Sequence, residues 1–150
     1  MLFLLLLLDC VLCGEPLRDG ARFCTGCGAP SPDAEVDLDK EPADARAWFL
    51  RGRARAVKGD PAGAKGDLNR AIEIDPFQAE FLLTRGRVRL LDCAAESDAR
   101  AAIEDFAQVL RLDPKSVGAR SGRADALVRL AEFRFEERGP LLRAALLYIE

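Results

Sequence analysis

The chain has 150 residues and a formal charge of −3, with 22 basic and 25 acidic side chains, and it contains five cysteines and no histidine. The absence of histidine excludes Ser-His and Cys-His catalytic pairs, Cys₂His₂ zinc fingers and an imidazole proton switch near neutral pH. Any metal ion must therefore be bound by thiolates or carboxylates. A length of 150 residues fits one ordinary domain, or a small module followed by a domain of modest size.

The chain begins with an uninterrupted apolar leader, residues 1–8, which Asp9 ends. A membrane-spanning helix needs about 20 apolar residues. A secretory signal needs a basic segment before the apolar one and small residues at a cleavage site, and this leader has neither. We therefore do not expect membrane insertion, and we interpret the leader as a strand, a loose segment or a misplaced start site. Export or anchoring stays the alternative, and we expect a cytoplasmic protein.

Four cysteines in residues 9–30 form two Cys-x-x-Cys pairs, Cys10 with Cys13 and Cys24 with Cys27, separated by ten residues. Each pair lets two sulfurs converge from one tight turn, and two turns supply the four thiolates that tetrahedral zinc prefers. Glycine follows the second cysteine of each pair and can adopt the positive φ that such a turn requires. Between the pairs, Asp19-Gly20 indicates a β-hairpin turn.

This segment resembles a zinc ribbon of the short double-knuckle type. The resemblance implies one structural zinc ion bound by Cys10, Cys13, Cys24 and Cys27, with no position left for a catalytic water. About thirty residues bury too little apolar surface to fold alone, whereas structural zinc supplies about 10–16 kcal/mol of apparent folding free energy. Disulfides, an iron–sulfur centre and a thioredoxin-like redox pair are the alternatives, the last without the βαβ context that it needs. We interpret Cys93 as a small, partly buried apolar residue rather than a reactive thiol.

Residues 31–44 form an acidic linker with six acidic residues and one lysine. The following residues, 45–150, carry nineteen basic and sixteen acidic side chains. The linker could therefore bind to a basic surface of residues 45–150 and compete there with a partner protein. Most acidic linkers, however, are simply solvated.

Residues 45–150 contain an internal sequence repeat. Units 45–78 and 79–116 align Arg51-Gly52 with Arg85-Gly86 at a spacing of 34 and their closing Asp-Pro pairs at a spacing of 38. The second unit thus has about four extra residues, which we place in 93–98. A period near 34 with helical punctuation predicts stacked helix pairs. A third, partial unit, 117–150, would start its second helix near Gly139-Pro140.

These units resemble the tetratricopeptide repeat. Residues that match the family pattern and have structural roles there are Trp48, Gly52, Ala64, Leu68 and Pro76 in the first unit and Gly86, Ala102, Phe106 and Pro114 in the second. The predicted fold class is therefore mainly α, a small zinc-stabilised β-hairpin ribbon followed by an α-solenoid of antiparallel helix pairs.

Arginines replace two residues of the family pattern in each unit. Arg51 and Arg85 take the place of its leucine, and Arg55 and Arg89 that of its tyrosine. Because an unpaired buried charge is costly, each interface arginine needs an acidic partner. We predict that Arg51 pairs with Asp67 and Arg85 with Asp105, as parts of the scaffold.

In the tetratricopeptide family the first helix of each pair lines a concave groove that binds peptides. Transferred to this chain, the groove positions are Arg46, Phe49, Leu50, Arg53, Leu83, Thr84, Arg87 and Arg129. Basic groups among apolar ones favour a peptide segment with acidic character. The alternative is that Arg53 and Arg87 are only the solvated side of an amphipathic helix.

The sequence favours a non-enzymatic protein-interaction scaffold or adaptor with a structural zinc ribbon. We do not expect nucleic-acid binding through the ribbon, because its two arginines face three acidic residues and phosphate binding needs a basic cluster. The alternatives to the scaffold are a nucleic-acid-binding protein and a redox- or zinc-responsive regulator that releases zinc on thiolate oxidation, each acting through the four-cysteine ribbon.

Overall fold

The computed structural model describes residues 9–10, 12–13, 15–18, 21–31, 37–39 and 41–147, with side chains as far as 134. The apolar leader, Gly14, the Asp19-Gly20 turn and part of the acidic linker lie outside the described residues. The described chain is mainly helical, with five helices: α1 (Ala45–Val57), α2 (Pro61–Ile74), α3 (Ala79–Leu91), α4 (Glu96–Leu112) and α5 (Val117–Leu147). Within this part of the chain, no helix is long and apolar enough to cross a membrane.

Local sequence signals explain where α1 and α2 begin. The side chain of Asp44 accepts a hydrogen bond from the Ala47 amide at 2.7 Å and caps α1. Gly59 turns the chain with a φ of +82°, and Asp60 then caps α2 by accepting from the Gly63 amide at 2.8 Å, with Pro61 in the first turn. These are the residues that the helix N-terminus prefers at its cap and first position.

The two helix pairs, α1–α2 and α3–α4, differ near residues 93–98, where the sequence predicts extra residues. α1 and α3 both have 13 residues, whereas α4 has 17 and α2 has 14. The connection before α4, residues 92–95, is one residue longer than the connection before α2, residues 58–60. Three of the four extra residues therefore extend the start of α4, and one lengthens the loop.

Consecutive helices pack together, and α3 also contacts both α1 and α5. The buried faces of the second helices follow the predicted spacing of three and four residues. In α2 this face is Ala64, Leu68 and Ala71, and in α4 it is Ala102, Phe106 and Val109. Each helix pair thus has its own apolar layer.

α3, α4 and α5 pack tightly around Phe106. A Cβ on Gly86 would lie 2.7 Å from Phe106 Cε1, and one on Gly122 would lie 2.6 Å from its Cζ. The fully buried ring therefore requires glycine on both neighbouring helices.

α5 corrects one expectation. The sequence predicts a second helix starting near Gly139-Pro140, but α5 runs through these residues as one helix of 31 residues. Strong helix formers flank the pair on both sides, with Glu136, Glu137 and Arg138 before it and Leu141 and Leu142 after it. Proline removes one backbone donor, but a single Gly-Pro pair without a loop does not turn the chain back.

Candidate metal centre

The first cysteine turn is closed by backbone hydrogen bonds. The Cys10 amide donates to the Glu15 carbonyl at 2.9 Å, and the Cys13 amide donates to the Cys10 carbonyl at 3.2 Å. An isolated antiparallel bridge joins Asp9 to Pro16 at the base of the turn. These bonds direct the side chains of Cys10 and Cys13 to the same side.

The second cysteine turn repeats this arrangement. The Cys24 amide donates to the Ala29 carbonyl at 2.7 Å, five residues on, just as the Cys10 amide donates to Glu15. Gly28 has a φ of +66° and donates to the Cys24 carbonyl at 2.8 Å, which confirms the positive φ expected after this cysteine pair. A bridge between Phe23 and Pro30 closes the base. Among the described residues the ribbon has only these isolated bridges in place of the predicted hairpin strands.

The four cysteine sulfurs converge. All four Sγ atoms lie within 4.8 Å of one another, and the two cross-turn pairs, Cys10 with Cys27 and Cys13 with Cys24, are each 3.5 Å apart. A tetrahedral site with Zn–S bonds of about 2.3 Å has sulfurs about 3.8 Å apart. The sulfurs are too far apart for disulfide bonds, which are about 2.05 Å long, and all the cysteines are free. The site therefore fits one zinc ion with four thiolate ligands.

The surroundings of Cys24 differ from those of Cys10 and Cys13. Burial raises the pKa of Cys10 and of Cys13. Burial also acts to raise the pKa of Cys24, but hydrogen bonds from the amides of Cys27 and Gly26 and from the neighbouring thiols outweigh it and lower this pKa to about 7. Backbone amides thus stabilise negative charge on Cys24, in the form that binds a metal.

The ribbon does not stand apart from the helices. Leu12 and Ala29 of the ribbon are buried in the same apolar cluster as Phe49 and Ala56 of α1 and Phe81 of α3. Cys10 and Cys24 also belong to this cluster. The metal centre therefore rests on the surface formed by α1 and α3.

The structure brings only some of the predicted groove residues to an open surface. Phe49, Arg53 and Thr84 are buried, and Leu83 and Arg87 are partly buried. Leu50 is exposed beside Pro42 of the linker, away from Arg53. Arg46 and Arg129 are exposed, and each has an ion pair, Arg46 with Glu80 at 2.7 Å and Arg129 with Glu132 at 3.4 Å.

The predicted arginine–aspartate pairs are present. Arg51 donates to Asp67 from Nε at 2.9 Å and from Nη2 at 2.8 Å, and this hydrogen bonding raises the pKa of the guanidinium. Arg85 contacts Asp105 in the same bidentate way, at 3.0 and 2.6 Å.

The second arginine of each repeat reaches the same buried aspartate. Arg55 Nη1 lies 3.1 Å from Asp67, and Arg89 Nε lies 3.0 Å from Asp105. Each aspartate therefore balances two arginines, which take the places of leucine and tyrosine in the tetratricopeptide pattern.

The remaining structural positions lie in the helix pairs or in the turns that follow them. Gly52 is buried against α2, where a Cβ would lie 3.1 Å from Leu68 Cγ and 3.2 Å from the Ala64 carbonyl oxygen. Trp48 is partly buried, with the Arg51 guanidinium 4.6 Å above its ring. Pro76 and Pro114 occupy exposed turns before α3 and α5. Cys93 is partly buried, in line with the interpretation as an apolar residue.

Glu80 has a role that sequence reasoning missed. Its carboxylate accepts from Arg46 at 2.7 Å and from Arg53 at 3.3 Å. Arg46 and Glu80 are 34 residues apart, the repeat period, and are each the second residue of a first helix. The repeat spacing could therefore have predicted this pair, because equivalent positions on α1 and α3, the first helices of the two pairs, lie next to each other.

Comparison with known families assigns only the N-terminal module. No curated protein sequence matches the chain. The family model for the zinc-ribbon domain matches residues 10–31, which contain all four cysteines. The sequence match and the convergence of the four sulfurs agree, and this segment is a zinc ribbon with four cysteines positioned to bind one zinc ion.

Proposed function

We propose that the chain is a non-enzymatic adaptor, a cytoplasmic protein whose zinc ribbon is structural and whose helical repeats bind a protein partner. The four-thiolate site supports a structural role, because it leaves no coordination position for a reacting water. The arrangement of helices supports the repeat interpretation, since α1–α2 and α3–α4 are similar pairs and α3 contacts both α1 and α5. This is the contact pattern expected for a solenoid of tetratricopeptide type.

The observation that carries the adaptor role is an open groove between α3 and α5. One cavity of about 340 Å³ is lined by Arg87 and Leu90 of α3, by Ser121 and Asp125 of α5, and by Leu12 of the ribbon. A second cavity, of about 370 Å³, shares Leu90 and Asp125 and continues along α5 to Glu132. Together they form a shallow channel, with the ribbon at one end.

The chemistry of this channel favours a short peptide with an apolar and an acidic side chain. Leu90 is partly buried, and Val128 is 59% exposed, so both offer apolar surface. Arg87 has no ion pair with any residue in the part of the chain whose side chains are described, which leaves its charge for a carboxylate of the partner. The proposed partner surface is therefore narrower than the eight predicted positions and is centred on Arg87, because Arg129 is already paired with Glu132.

A peptide-display selection against the zinc-loaded full chain tests this function. Selected peptides are expected to carry an acidic residue near an apolar one, and their affinity should fall at least tenfold for Arg87→Glu and for Leu90→Asp. Arg111→Glu is the matched control, because Arg111 is an exposed arginine of α4 outside the channel. A selection that yields no binders, or binders equally weakened by Arg111→Glu, would contradict the adaptor role.

A further inference from the structure

Arg53 is the residue whose position differs most from its expected role. Its sequence position predicts a groove cation that meets an acidic partner, yet its side chain is only 3% exposed. The guanidinium lies 5.0 Å from the centre of the Phe49 ring, and Nη1 lies 3.3 Å from Glu80. Nη2 donates to the backbone carbonyl of Cys27. The occupant of this part of the α1–α3 surface is the ribbon.

The contact is made with the metal-binding turn itself. Cys27 is one of the four cysteines positioned to bind zinc, and the peptide that follows it leads into Gly28 with its positive φ. A Cβ on Gly28 would lie 3.5 Å from Arg53 Nη2, so the guanidinium lies directly against this turn. Because Cys24 and Cys27 both lie in this turn, binding of one ion by the two thiolates is expected to hold the turn and the Cys27 carbonyl in this position.

We propose that the α1–α3 surface around Arg53 is an intramolecular binding site for the zinc-loaded ribbon, with Arg53 as a positioning residue for the Cys27 ligand. Loss of zinc unfolds the turn, removes the carbonyl from Arg53 and uncovers Phe49 and Phe81. Zinc occupancy thereby controls access to this surface. The inference goes beyond the adaptor function, because it concerns the chain's own ribbon and not an external partner.

Arg46 provides a matched control. It lies 5.0 Å from the same Phe49 ring and pairs with the same Glu80 carboxylate, at 2.7 Å. Its side chain is 56% exposed, and it makes no hydrogen bond to the ribbon within the described residues. The two arginines therefore share Phe49 and Glu80 as neighbours, and they differ in burial and in the contact with Cys27.

Arginine labelling of the unaltered full chain tests the proposal. The reduced, zinc-loaded protein is treated with phenylglyoxal before and after zinc is removed by a chelator, and modified residues are located by mass spectrometry. Arg46 should be labelled in both states, whereas Arg53 should become labelled at least tenfold faster after zinc removal. Arg53 that is labelled freely with zinc bound, or that stays protected without zinc, would overturn the proposal.

Arg51 reports on the helices in the same experiment, because its bond to Asp67 holds α1 against α2. It should stay protected without zinc. Labelling of Arg51 in step with Arg53 would mean that zinc loss opens the helix pair, which would also overturn the proposal.

A second measurement follows zinc transfer to a chromophoric chelator. Residues that orient a metal ligand from outside the coordination sphere typically change metal affinity 10–100-fold. Arg53→Gln should therefore release zinc at least tenfold faster than the wild type, while Arg46→Gln should release it at the wild-type rate. Equal release rates for the two variants would show that Arg53 does not support the ligand.

Discussion

The ribbon and the helix pairs are stabilised in different ways. The helix pairs bury complete apolar layers around Leu68 and Phe106, and each places one aspartate between two arginines. The described ribbon instead has two closed turns, four convergent thiols and a few apolar residues that pack into the core formed by α1 and α3. A module with so little core of its own depends on its metal and on its neighbour, whereas the helices depend on packing.

Removing a zinc ligand should have the largest effect, and the helices should keep their secondary structure. Cys24→Ser deletes one of four thiolates, and structural zinc contributes about 10–16 kcal/mol of apparent folding free energy to such a module. We expect zinc content to fall from one ion per chain to nearly none while the far-ultraviolet circular dichroism of the helices persists.

Cys93→Ser is the control for this variant, since Cys93 lies outside the sulfur cluster and should leave zinc content unchanged. A Cys24→Ser chain that retains one tightly bound zinc ion would contradict the assignment of the ligands.

Removing a buried aspartate should have the largest effect on the helices. Asp105→Ala leaves Arg85 and Arg89 without their shared partner, and breaking a buried ion pair costs about 3–5 kcal/mol. Urea denaturation followed by helical circular dichroism measures this loss, with zinc content unchanged.

Glu104→Ala on the same helix is the comparison, because the Glu104 pair with Arg111 is exposed and should contribute less than about 1 kcal/mol. Equal losses for the two variants would mean that the aspartate is not structural.

Filling the contact at Phe106 should cost less. Gly86→Ala places a methyl group 2.7 Å from the ring, and overpacking of this kind costs about 1–3 kcal/mol. Gly66→Ala is a matched control in α2, where a Cβ would meet no atom within 4 Å, so alanine should stabilise the helix by about 0.4–1 kcal/mol. A Gly86→Ala chain as stable as the wild type would show that α3 and α4 are farther apart than described.

The smallest effect is expected at the start of α2. Asp60→Ala removes the acceptor for the Gly63 amide and should lower the free energy of unfolding by about 1 kcal/mol, measured by thermal denaturation. Asp60→Asn keeps an acceptor and should lose much less. Equal losses for both variants would mean that the charge, and not the cap, matters at this position.

Local and periodic features of the structure could be predicted from the sequence. The cysteine spacing predicts the convergent thiols, because two tight turns leave the sulfurs few other arrangements. The repeat alignment predicts the Arg51–Asp67 and Arg85–Asp105 pairs, because the arginines fall on an interface where a charge must be balanced. Both predictions rest on constraints that operate within one turn or one helix pair.

Features set by tertiary contacts could not be predicted in this way. Arg53 lies on the face that the repeat pattern assigns to a groove, but nothing in its spacing shows that the chain's own ribbon covers it. The Gly139-Pro140 pair is a common signal for a break, yet flanking helix formers carry α5 through it. In both cases the sequence pattern is present, but neighbouring parts of the chain decide which structure forms: the ribbon at Arg53, and the flanking helical residues at Gly139-Pro140.

The contact between ribbon and helices is the central claim, and nuclear Overhauser effects in the zinc-loaded full chain test it most directly. Cross-peaks are predicted between the methyl groups of Leu12 and Ala29 and protons of helical residues in the same core, such as the rings of Phe49 and Phe81. A zinc-loaded ribbon that shows cross-peaks within itself but none to α1 or α3 would contradict the account.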